Sequence, residues 1–307
     1  MRIHRDTSYL EDADQGASVA IGNFDGVHLG HQAILKIASE ATQAPLGVLT
    51  FEPHPREYFV PDTPPFRLMN AQAKAHRLEL LGVQHLYELA FNDKLARLSA
   101  RAFCQDIIVD RLGLKHVTVG AVFCFGQGRK GTAADLQAFG AEMGFGVTIA
   151  KLVEAAGHHV SSTRIREALS DGRPQDAAAM LGHLHRIEGE VVRGHQRGRE
   201  LGYPTANMMI TGLHPPKFGV YAVRINVLSG DHTGTYDGVA SLGIRPMFEG
   251  DVPNLETFLF DFSGDLYGTQ LSVALVSYLR PEAKFDGLDA LIEQMDKDSA
   301  EAKRILR

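Results

Sequence analysis

The stretch Gly22-Asn-Phe-Asp-Gly-Val-His-Leu-Gly-His31 decides the fold of the N-terminal half of this chain. It follows an apolar run at residues 17–21 and precedes a helix-like stretch at residues 32–39. A strand that leads through a glycine-rich turn into a helix brings backbone N–H groups against a phosphate. The i, i+3 spacing of His28 and His31 predicts two imidazoles on one side of the first helical turn, where they can stabilise triphosphate charge. Without the glycines, such a histidine pair would more often be incidental.

Strand-like and helix-like segments alternate on both sides of this stretch. Their short connections predict a doubly wound, Rossmann-like parallel sheet covered by helices, the α/β class. Ligands bind beyond the carboxyl ends of the strands in such sheets. The predicted strands lie at residues 19–21, 46–51, 85–89, 116–123 and 147–153, and the predicted helices at residues 32–39, 71–81, 100–112, 133–143 and 162–170.

The pattern changes after residue 186. Strand-like segments then follow one another without helices between them, which predicts an antiparallel β-barrel. Apolar side chains near helical spacing at residues 288–305 predict a C-terminal helix packed on the barrel. We therefore expect two domains, residues 1–182 and 183–307. The predicted strands lie at residues 187–192, 220–227, 234–241, 255–262 and 270–279.

Composition limits the classes of function. The chain has 307 residues, enough for two cores, and its 31 basic and 37 acidic residues give a net charge of −6. This balance argues against general binding to nucleic acid or anionic membranes, and no apolar run approaches a membrane span. Only two cysteines, Cys104 and Cys124, occur, which favours a reducing cytoplasm over a disulfide framework. We expect a cytoplasmic protein without nucleic-acid or membrane partners and with weak self-association at most.

Two further motifs of the first half are candidates for contacts with a nucleotide. Prolines on both sides of His54 fix the backbone and aim the ring, although a rigid surface loop explains them equally well. Ser162 and Thr163 begin a predicted helix, where plain capping is the alternative interpretation. Arg166 nearby opposes the helix macrodipole, and a bound anion would resolve that conflict.

A third motif follows the predicted strand at residues 116–123. Phe125 and Gly126 lead there into a glycine-rich loop that carries the cations Arg129 and Lys130. An ordinary strand and turn is the alternative interpretation of this loop.

The second half begins with a loop that is rich in glycine and basic residues. Gly194, Arg197 and Gly198 belong to it, and its composition fits either an anion cradle or a solvated basic loop. Thr205 and Asn207 follow, and their i, i+2 spacing directs both side chains the same way in an extended chain. Hydroxyl and amide oxygens suit a magnesium ion that also holds phosphates, although such a tetrapeptide is more often a turn.

Glu256 interrupts an apolar strand-like segment at residues 255–262. A carboxylate in a buried strand is costly, and one that has a function can take a proton from a neutral alcohol. The alternative is a glutamate that faces outward from an edge strand.

These motifs together resemble bifunctional riboflavin kinase/FAD synthetases over the whole chain. The first half matches through the glycine-rich stretch, Phe-Glu-Pro-His-Pro, Phe-x-Phe-Gly and Ser-Ser-Thr-x-Ile-Arg. The second half matches through Pro-Thr-Ala-Asn, Leu-Glu-Thr-Phe and Asp-Phe-x-Gly-x-Leu-Tyr-Gly. The resemblance implies that ATP phosphorylates riboflavin to FMN in the second half and adenylylates FMN to FAD in the first, with Mg²⁺.

The resemblance also implies roles for individual residues. His28, His31 and Glu256 would be catalytic, with Glu256 as the base, and Thr205 and Asn207 would bind the metal. Nucleotide or flavin contacts are implied for Gly22, Asn23, Phe24, Asp25, Gly30, His54, Phe125, Gly126, Ser162, Thr163, Arg166, Gly194, Arg197, Gly198 and Tyr203.

Two positions depart from the family pattern. Val122 stands where a polar residue is usual before Phe-x-Phe-Gly, and Met247 stands where a threonine is common. Two rival functions therefore stay open: a riboflavin kinase with an impaired adenylyltransferase domain, and a flavin carrier without enzymatic activity. Val122 favours the first rival, because an apolar side chain offers no hydrogen bond.

Overall fold

The computed structural model describes residues 1–7, 10–151, 154–155, 158–193, 202–247 and 250–307. Contacts divide the chain into two compact units. Unit 1 contains Met1–Thr63 and Lys74–Val160, and unit 2 contains Pro64–Ala73 and Ser161–Arg307. This division does not coincide with the expected domain boundary between residues 182 and 183, which stays a prediction.

Unit 1 is built on a parallel sheet. Its six strands lie in the order β1-β4-β3-β2-β5-β8, and every neighbouring pair is parallel. The predicted parallel α/β fold is thereby confirmed. The strands of unit 1 are β1 Arg2–His4, β2 Ser18–Ile21, β3 Leu46–Glu52, β4 His85–Ala90, β5 His116–Gly120, β6 Cys124–Phe125, β7 Gly131–Thr132, β8 Gly146–Ala150, β9 Glu154–Ala155 and β10 His158–His159, of which β6 with β7 and β9 with β10 form two small hairpins.

The central strands of this sheet are buried on both faces. All four residues of β2 are buried, as expected for a parallel strand with layers packed on either side. The core of the unit centres on side chains such as Val19, Leu49, Val117 and Leu136. The helices of unit 1 are α1 Leu29–Ala41, α2 Pro55–Phe59, α3 Ala71–Leu80 (whose first three residues count with unit 2), α4 Asp93–Ala96, α5 Ala100–Ala102 with the π-helix Phe103–Arg111 that continues it, and α6 Ala133–Met143.

Unit 2 contains an antiparallel sheet of six strands in the order β11-β16-β13-β14-β15-β12. Its two edges meet, because the N–H of Val192, just beyond β11, donates to the carbonyl of Asn207 in β12 at 2.8 Å. The sheet is therefore a near-barrel, and the antiparallel architecture predicted for this half is confirmed. Its strands are β11 Arg186–Glu190, β12 Ala206–Met209, β13 Gly219–Val227, β14 Gly234–Met247, β15 Gly250–Leu259 and β16 Gln270–Arg280.

Three helices of unit 2 are α7 Ser162–Ser170, α8 Pro174–Leu181 and α9 Leu288–Leu306. The C-terminal helix α9 packs on the barrel as predicted, and it buries Ala302 and Leu306 against Ala222 and Phe260. A two-pronged ion pair fixes it further, since the Arg280 guanidinium donates to both carboxylate oxygens of Asp298 at 2.7–3.0 Å. Such paired geometry makes this contact stronger than a single exposed ion pair.

One sequence prediction about local structure is wrong, and two elements were missed. The strand expected at residues 116–123 ends at Gly120, because the chain turns through residues 121–122 before the short strand β6. The strand β12 and the helix α8 were not predicted at all. Polar Asn207 and Pro204 hide the strand pattern, and three alanines weaken the apolar stripe of α8.

Candidate active sites

The glycine-rich stretch at residues 22–31 follows β2, and β2 lies next to β5 in the sheet. From β2 the chain passes to β3 and β4 on one side, whereas β5 and β8 lie on the other. Ligands of parallel α/β sheets bind at such a reversal of strand order, beyond the carboxyl ends of the strands. The topology therefore places the stretch where this class of sheet binds ligands.

The two histidines of the stretch stack on each other at the start of α1. Their ring centroids are 3.7 Å apart and nearly parallel, as the i, i+3 spacing predicts. His28 is the N-cap residue, and the backbone N–H of His31 donates to its Nδ1 at 3.4 Å. Gly30 makes the stack possible, because a Cβ there would lie 3.1 Å from the His28 ring. The geometry presents two imidazoles together at a helix N-terminus.

Burial keeps both imidazoles neutral. It lowers the pKa of His28 to about 4, and it lowers the pKa of His31 well below its usual value, with further contributions from His28 and Lys74. Because Nδ1 of His28 accepts a hydrogen bond, the proton of the neutral ring is on Nε2, which can donate. Within the described part of the chain, the buried Nδ1 of His31 has no hydrogen-bond partner. Buried polar atoms are normally paired, so this nitrogen is available to a ligand, as are other such atoms among the described residues.

The backbone before the histidines is strained. Phe24 and Val27 have φ angles of 52° and 41°, in the left-handed region that side chains other than glycine avoid. Each such residue costs about 1–3 kcal/mol, and such strain concentrates at functional sites. Phe24 is fully buried, with its ring centroid 4.9 Å from that of His31, and Asp25 is also buried. The strained loop thus sets the orientation of His31, while Asn23 and Gly22 stay partly accessible.

A buried cation next to these histidines was not identified from the sequence. Lys74 of α3 donates to the Glu52 carboxylate at 2.7 Å and to the Thr50 hydroxyl at 3.3 Å. The same hydroxyl donates to the carbonyl of Asn23 at 3.3 Å. Lys74 therefore brings positive charge to the base of the glycine-rich stretch. No local signal marks it, since a lone lysine in an amphipathic helix normally predicts a solvated side chain.

The remaining candidates of unit 1 have structural roles in the protein. His54 is the N-cap of α2, with its Nδ1 accepting from the N–H of Arg56 at 3.0 Å. Phe125 is buried in the core, stacked on Phe123 and tilted against Phe103. Gly126 has a φ of 70°, and a Cβ there would lie 2.6 Å from the backbone of Ala100. These roles explain the residues without a ligand, and their nucleotide contacts stay predictions.

Val122, one of the two departures from the family pattern, is 69% exposed. It therefore does not pack into the core beside Phe123. It follows β5 at the carboxyl edge of the sheet, so a polar side chain there would be solvated without a burial penalty.

Ser162, Thr163 and Arg166 belong to unit 2, at the start of α7. Ser161 caps this helix, since its hydroxyl accepts from the N–H of Arg164 at 3.4 Å. The Arg166 guanidinium donates to the Phe66 carbonyl at 3.2 Å and to the Thr163 hydroxyl at 3.4 Å. The three candidates thus lie on one helical turn, and their contact with phosphate stays a prediction.

A cavity of about 450 Å³ opens beside β12 in unit 2. Thr205 and Asn207 both line it, so the two proposed oxygen ligands face one space. The motif at residues 261–268, which the sequence marks only by resemblance, supplies much of the opposite wall. The lining residues of this motif are Phe262, Ser263, Gly264, Asp265, Leu266 and Tyr267.

Strand register brings Glu256 beside Asn207, although Glu256 is not among the residues that line the cavity. Asn207 and Glu256 are direct cross-strand partners of β12 and β15, so their side chains share one face of the sheet. Glu256 is half-buried, with Ser241 of β14 as its partner on the other side. Buried Asn254 donates through Nδ2 to Oδ1 of Asn207 at 3.3 Å and orients the amide. Asn254 was missed from the sequence, because only the strand pairing joins it to Asn207.

Of the remaining candidate contact residues in the second half of the chain, Tyr203 lies within the described residues. Tyr203 hydrogen-bonds to Asp296 of α9, and its ring centroid lies 4.8 Å from that of Phe258. Gly194, Arg197 and Gly198 lie outside the described residues, and their predicted role in an anion cradle stays a prediction.

Comparison with known proteins agrees with the two kinds of site. Residues 10–164 match the family described as FAD synthetase, and residues 181–306 match the family described as riboflavin kinase. A protein of Pseudomonas fluorescens named bifunctional riboflavin kinase/FMN adenylyltransferase is 41% identical, with 99% of this chain and 98% of the relative covered. This chain belongs to that bifunctional family. An Escherichia coli K12 member with the same name is 38% identical, with 99% of this chain and 97% of the relative covered.

A solved structure shares the whole fold. The crystal structure of a protein named Macrolide-efflux Protein, from Streptococcus pneumoniae, superposes with a TM-score of 0.83 at 32% identity, covering 99% of this chain and 98% of that one. The name macrolide efflux belongs to that protein, whereas the two family members above are named for riboflavin kinase and FMN adenylyltransferase activities. Among the described residues, no helix is both long and apolar enough to cross a membrane.

Proposed function

We propose that this member of the family phosphorylates riboflavin to FMN in the barrel and adenylylates FMN to FAD at the glycine-rich stretch. ATP is the donor in both reactions. The observation that carries the proposal is the contrast between the donor sets of the described residues. Stacked neutral imidazoles with an unpartnered buried nitrogen lie at a helix N-terminus in unit 1. In unit 2, a carboxylate is the cross-strand partner of an amide that lines a cavity together with a hydroxyl residue.

Adenylyl transfer needs charge stabilisation rather than a base. An oxygen of the FMN phosphate attacks the α-phosphorus of ATP, and the bond to pyrophosphate breaks. The nucleophile is already anionic, so no proton has to be removed. The Nε2–H of His28 and the ring of His31 donate to phosphate oxygens as negative charge builds on them.

Riboflavin phosphorylation does need a base. The 5′-hydroxyl oxygen attacks the γ-phosphorus of ATP, its proton passes to the carboxylate of Glu256, and ADP leaves. A neutral alcohol is a weak nucleophile, which is why a positioned carboxylate accelerates this reaction.

The residues around the barrel cavity fit Mg²⁺. The Thr205 hydroxyl and the Asn207 amide oxygen are hard ligands that line the same space, and the Asn254 amide orients the second of them. When bound, the ion neutralises charge on the ATP phosphates. The two residues would hold it, while Glu256 stays available for the proton.

One incubation tests the proposal against its rivals. Purified protein is mixed with riboflavin, ATP and magnesium, and riboflavin, FMN and FAD are separated over time. We expect FMN to form first and FAD to follow. FMN accumulating alone supports the kinase with an impaired adenylyltransferase domain, and no product supports the flavin carrier. A parallel incubation with supplied FMN measures the second reaction independently of the first.

A cytoplasmic location and self-association that is weak at most belong to the same proposal. The net charge of −6 and the two free cysteines support a cytoplasmic enzyme. Sedimentation of the purified chain at several concentrations would measure its self-association directly.

A further inference from the structure

We propose that His4, Asp14 and His85 form a binding site for a divalent transition metal, with Zn²⁺ as the best match. The site lies in unit 1 at the edge strand β1, and none of its residues belongs to the proposed flavin chemistry. One ligand atom from each residue lies within 4.8 Å of the others.

Strand pairing creates the cluster. β1 pairs in parallel with β4, with Arg2 opposite His85 and His4 opposite Tyr87. Both histidines stack on this tyrosine, with ring centroids 5.0 and 6.0 Å from its own. Asp14 ends a short 3₁₀ helix, Asp12–Asp14, and the Tyr87 hydroxyl holds it by donating to its carbonyl at 2.6 Å. Three separate segments therefore hold the ligands in place.

The distances suit a small metal ion. Nε2 of His4 lies 3.1 Å from Nδ1 of His85, and Nδ1 of His85 lies 3.8 Å from a carboxylate oxygen of Asp14. Two nitrogens bound to one tetrahedral zinc are separated by about 3.3 Å, given zinc–nitrogen bonds of about 2.0–2.1 Å. The third pair, His4 and Asp14, lies within 4.8 Å, so the side chains must move closer together to bind one ion.

The ligand set selects the class of metal. Two imidazoles and one carboxylate suit zinc and its neighbours in the first transition row, whereas magnesium and calcium prefer oxygen alone. Burial lowers the pKa values of both histidines, which favours the neutral imidazole that a metal binds. One of the two facing nitrogens now carries the proton of their shared hydrogen bond. Metal binding requires that this proton move to the other nitrogen of the same ring.

Nearby charges oppose the ion. Arg2 donates to the carboxylate of Asp14 at 2.6 Å, and it must swing away when the metal binds. Its side chain is 62% exposed, so solvent can take up the guanidinium at small cost. The terminal ammonium of Met1 is the other nearby cation, and Glu79 neutralises it at 2.8 Å. Arg2 is therefore the main competitor of the metal.

The test uses protein that has been stripped of metal with a chelator and then freed of the chelator. This protein is titrated with Zn²⁺ in a calorimeter, and separately with Co²⁺, whose binding is followed by visible absorption. We expect wild type to bind one ion per chain. His4→Ala and Asp14→Asn should bind it at least about tenfold more weakly, since the loss of even a residue that only supports a ligand lowers metal affinity by that factor. Arg2→Gln should tighten binding by about two- to fivefold, the weight of an exposed ion pair. His76→Ala, a histidine of unit 1 outside the cluster, is the matched control.

Two results would overturn the site. One is equal binding by wild type, His4→Ala and Asp14→Asn, which would place any bound zinc elsewhere. The other is no binding by wild type and Arg2→Gln alike. Thermal melts with and without Zn²⁺ give a second readout, because a ligand that binds only the folded state raises the melting temperature. Zn²⁺ should raise the melting temperature of wild type and leave that of His4→Ala unchanged.

Discussion

The glycine-rich stretch and the barrel face position their polar groups in different ways. Strained backbone and tight stacking hold His28 and His31 at the first site. Regular strand pairing holds Asn207 and Glu256 at the second. The first site contains neutral donors, and the second a carboxylate. The difference teaches that the charge of the nucleophile sets the chemistry, since an FMN phosphate needs stabilisation and a riboflavin hydroxyl needs a base.

The largest expected effect separates the two sites. Replacement of His28 and His31 together by Ala should abolish FAD formation from supplied FMN and leave riboflavin phosphorylation nearly unchanged. Each lost donor in a preorganised anion site costs roughly 2.7–4 kcal/mol of barrier. His76→Ala is the control. FAD synthesis retained by the double variant would show that the stacked pair does not handle phosphate.

Glu256→Gln should have the opposite pattern. We expect FMN formation to fall by about 10²–10⁴, as for a lost general base, with FAD formation from FMN unaffected. Glu190→Gln, which changes an exposed carboxylate of the barrel strand β11, is the control. A kinase rate within a few-fold of wild type would exclude Glu256 as the base.

Acid should destabilise unit 1 through His28. The folded pKa of about 4 lies below the usual value of 6.5, so the unfolded chain binds a proton first as pH falls. The contribution of neutral His28 to the free energy of unfolding is thus fully present above pH 6.5. It is lost between pH 6.5 and 4, where the free energy of unfolding falls by about 3 kcal/mol. Denaturant unfolding of wild type and His28→Asn across this range measures it, and asparagine keeps the N-cap. Parallel pH curves for the two proteins would contradict the prediction.

Thr205→Val tests the metal side of the barrel site. It keeps the shape and removes one oxygen, so riboflavin phosphorylation should require about tenfold more magnesium, while Thr205→Ser should resemble wild type. FAD formation from FMN is the internal control. An unchanged magnesium requirement would remove Thr205 from the metal site.

The smallest expected effect concerns Val122, one of the two departures from the family pattern. Val122→Asn should raise FAD synthesis about 2- to 13-fold, the worth of one hydrogen bond of roughly 0.5–1.5 kcal/mol, and leave the kinase alone. Because the side chain is exposed, the melting temperature should not change. An unchanged FAD rate in the folded variant would show that the site works without a polar group at this position.

Local patterns in the sequence were enough for the fold class and for the pairing of the two histidines at the first candidate site. Alternating segments predicted the parallel sheet, and closely spaced strands predicted the barrel. The i, i+3 spacing predicted the stacked pair His28 and His31, because helical geometry alone fixes that relation. Likewise, Thr205 and Asn207, two residues apart in the sequence, both line one cavity.

Only the tertiary structure brought distant residues to these places. Lys74 reaches Glu52 and Thr50 because α3 packs beside the end of β3, and Asn254 reaches Asn207 because β15 pairs with β12 in one register. The proposed metal cluster depends in the same way on the pairing of β1 with β4.

The physical reason for this difference is the distance along the chain over which each kind of interaction acts. Helical spacing and strand alternation follow from backbone geometry over a few residues, so a sequence displays them directly. Strand order and register depend on burial and pairing across the whole sheet, and a shift of one residue would turn each side chain to the other face. The sequence by itself therefore determined the folds and the local motifs, and the tertiary structure decided which distant side chains complete them.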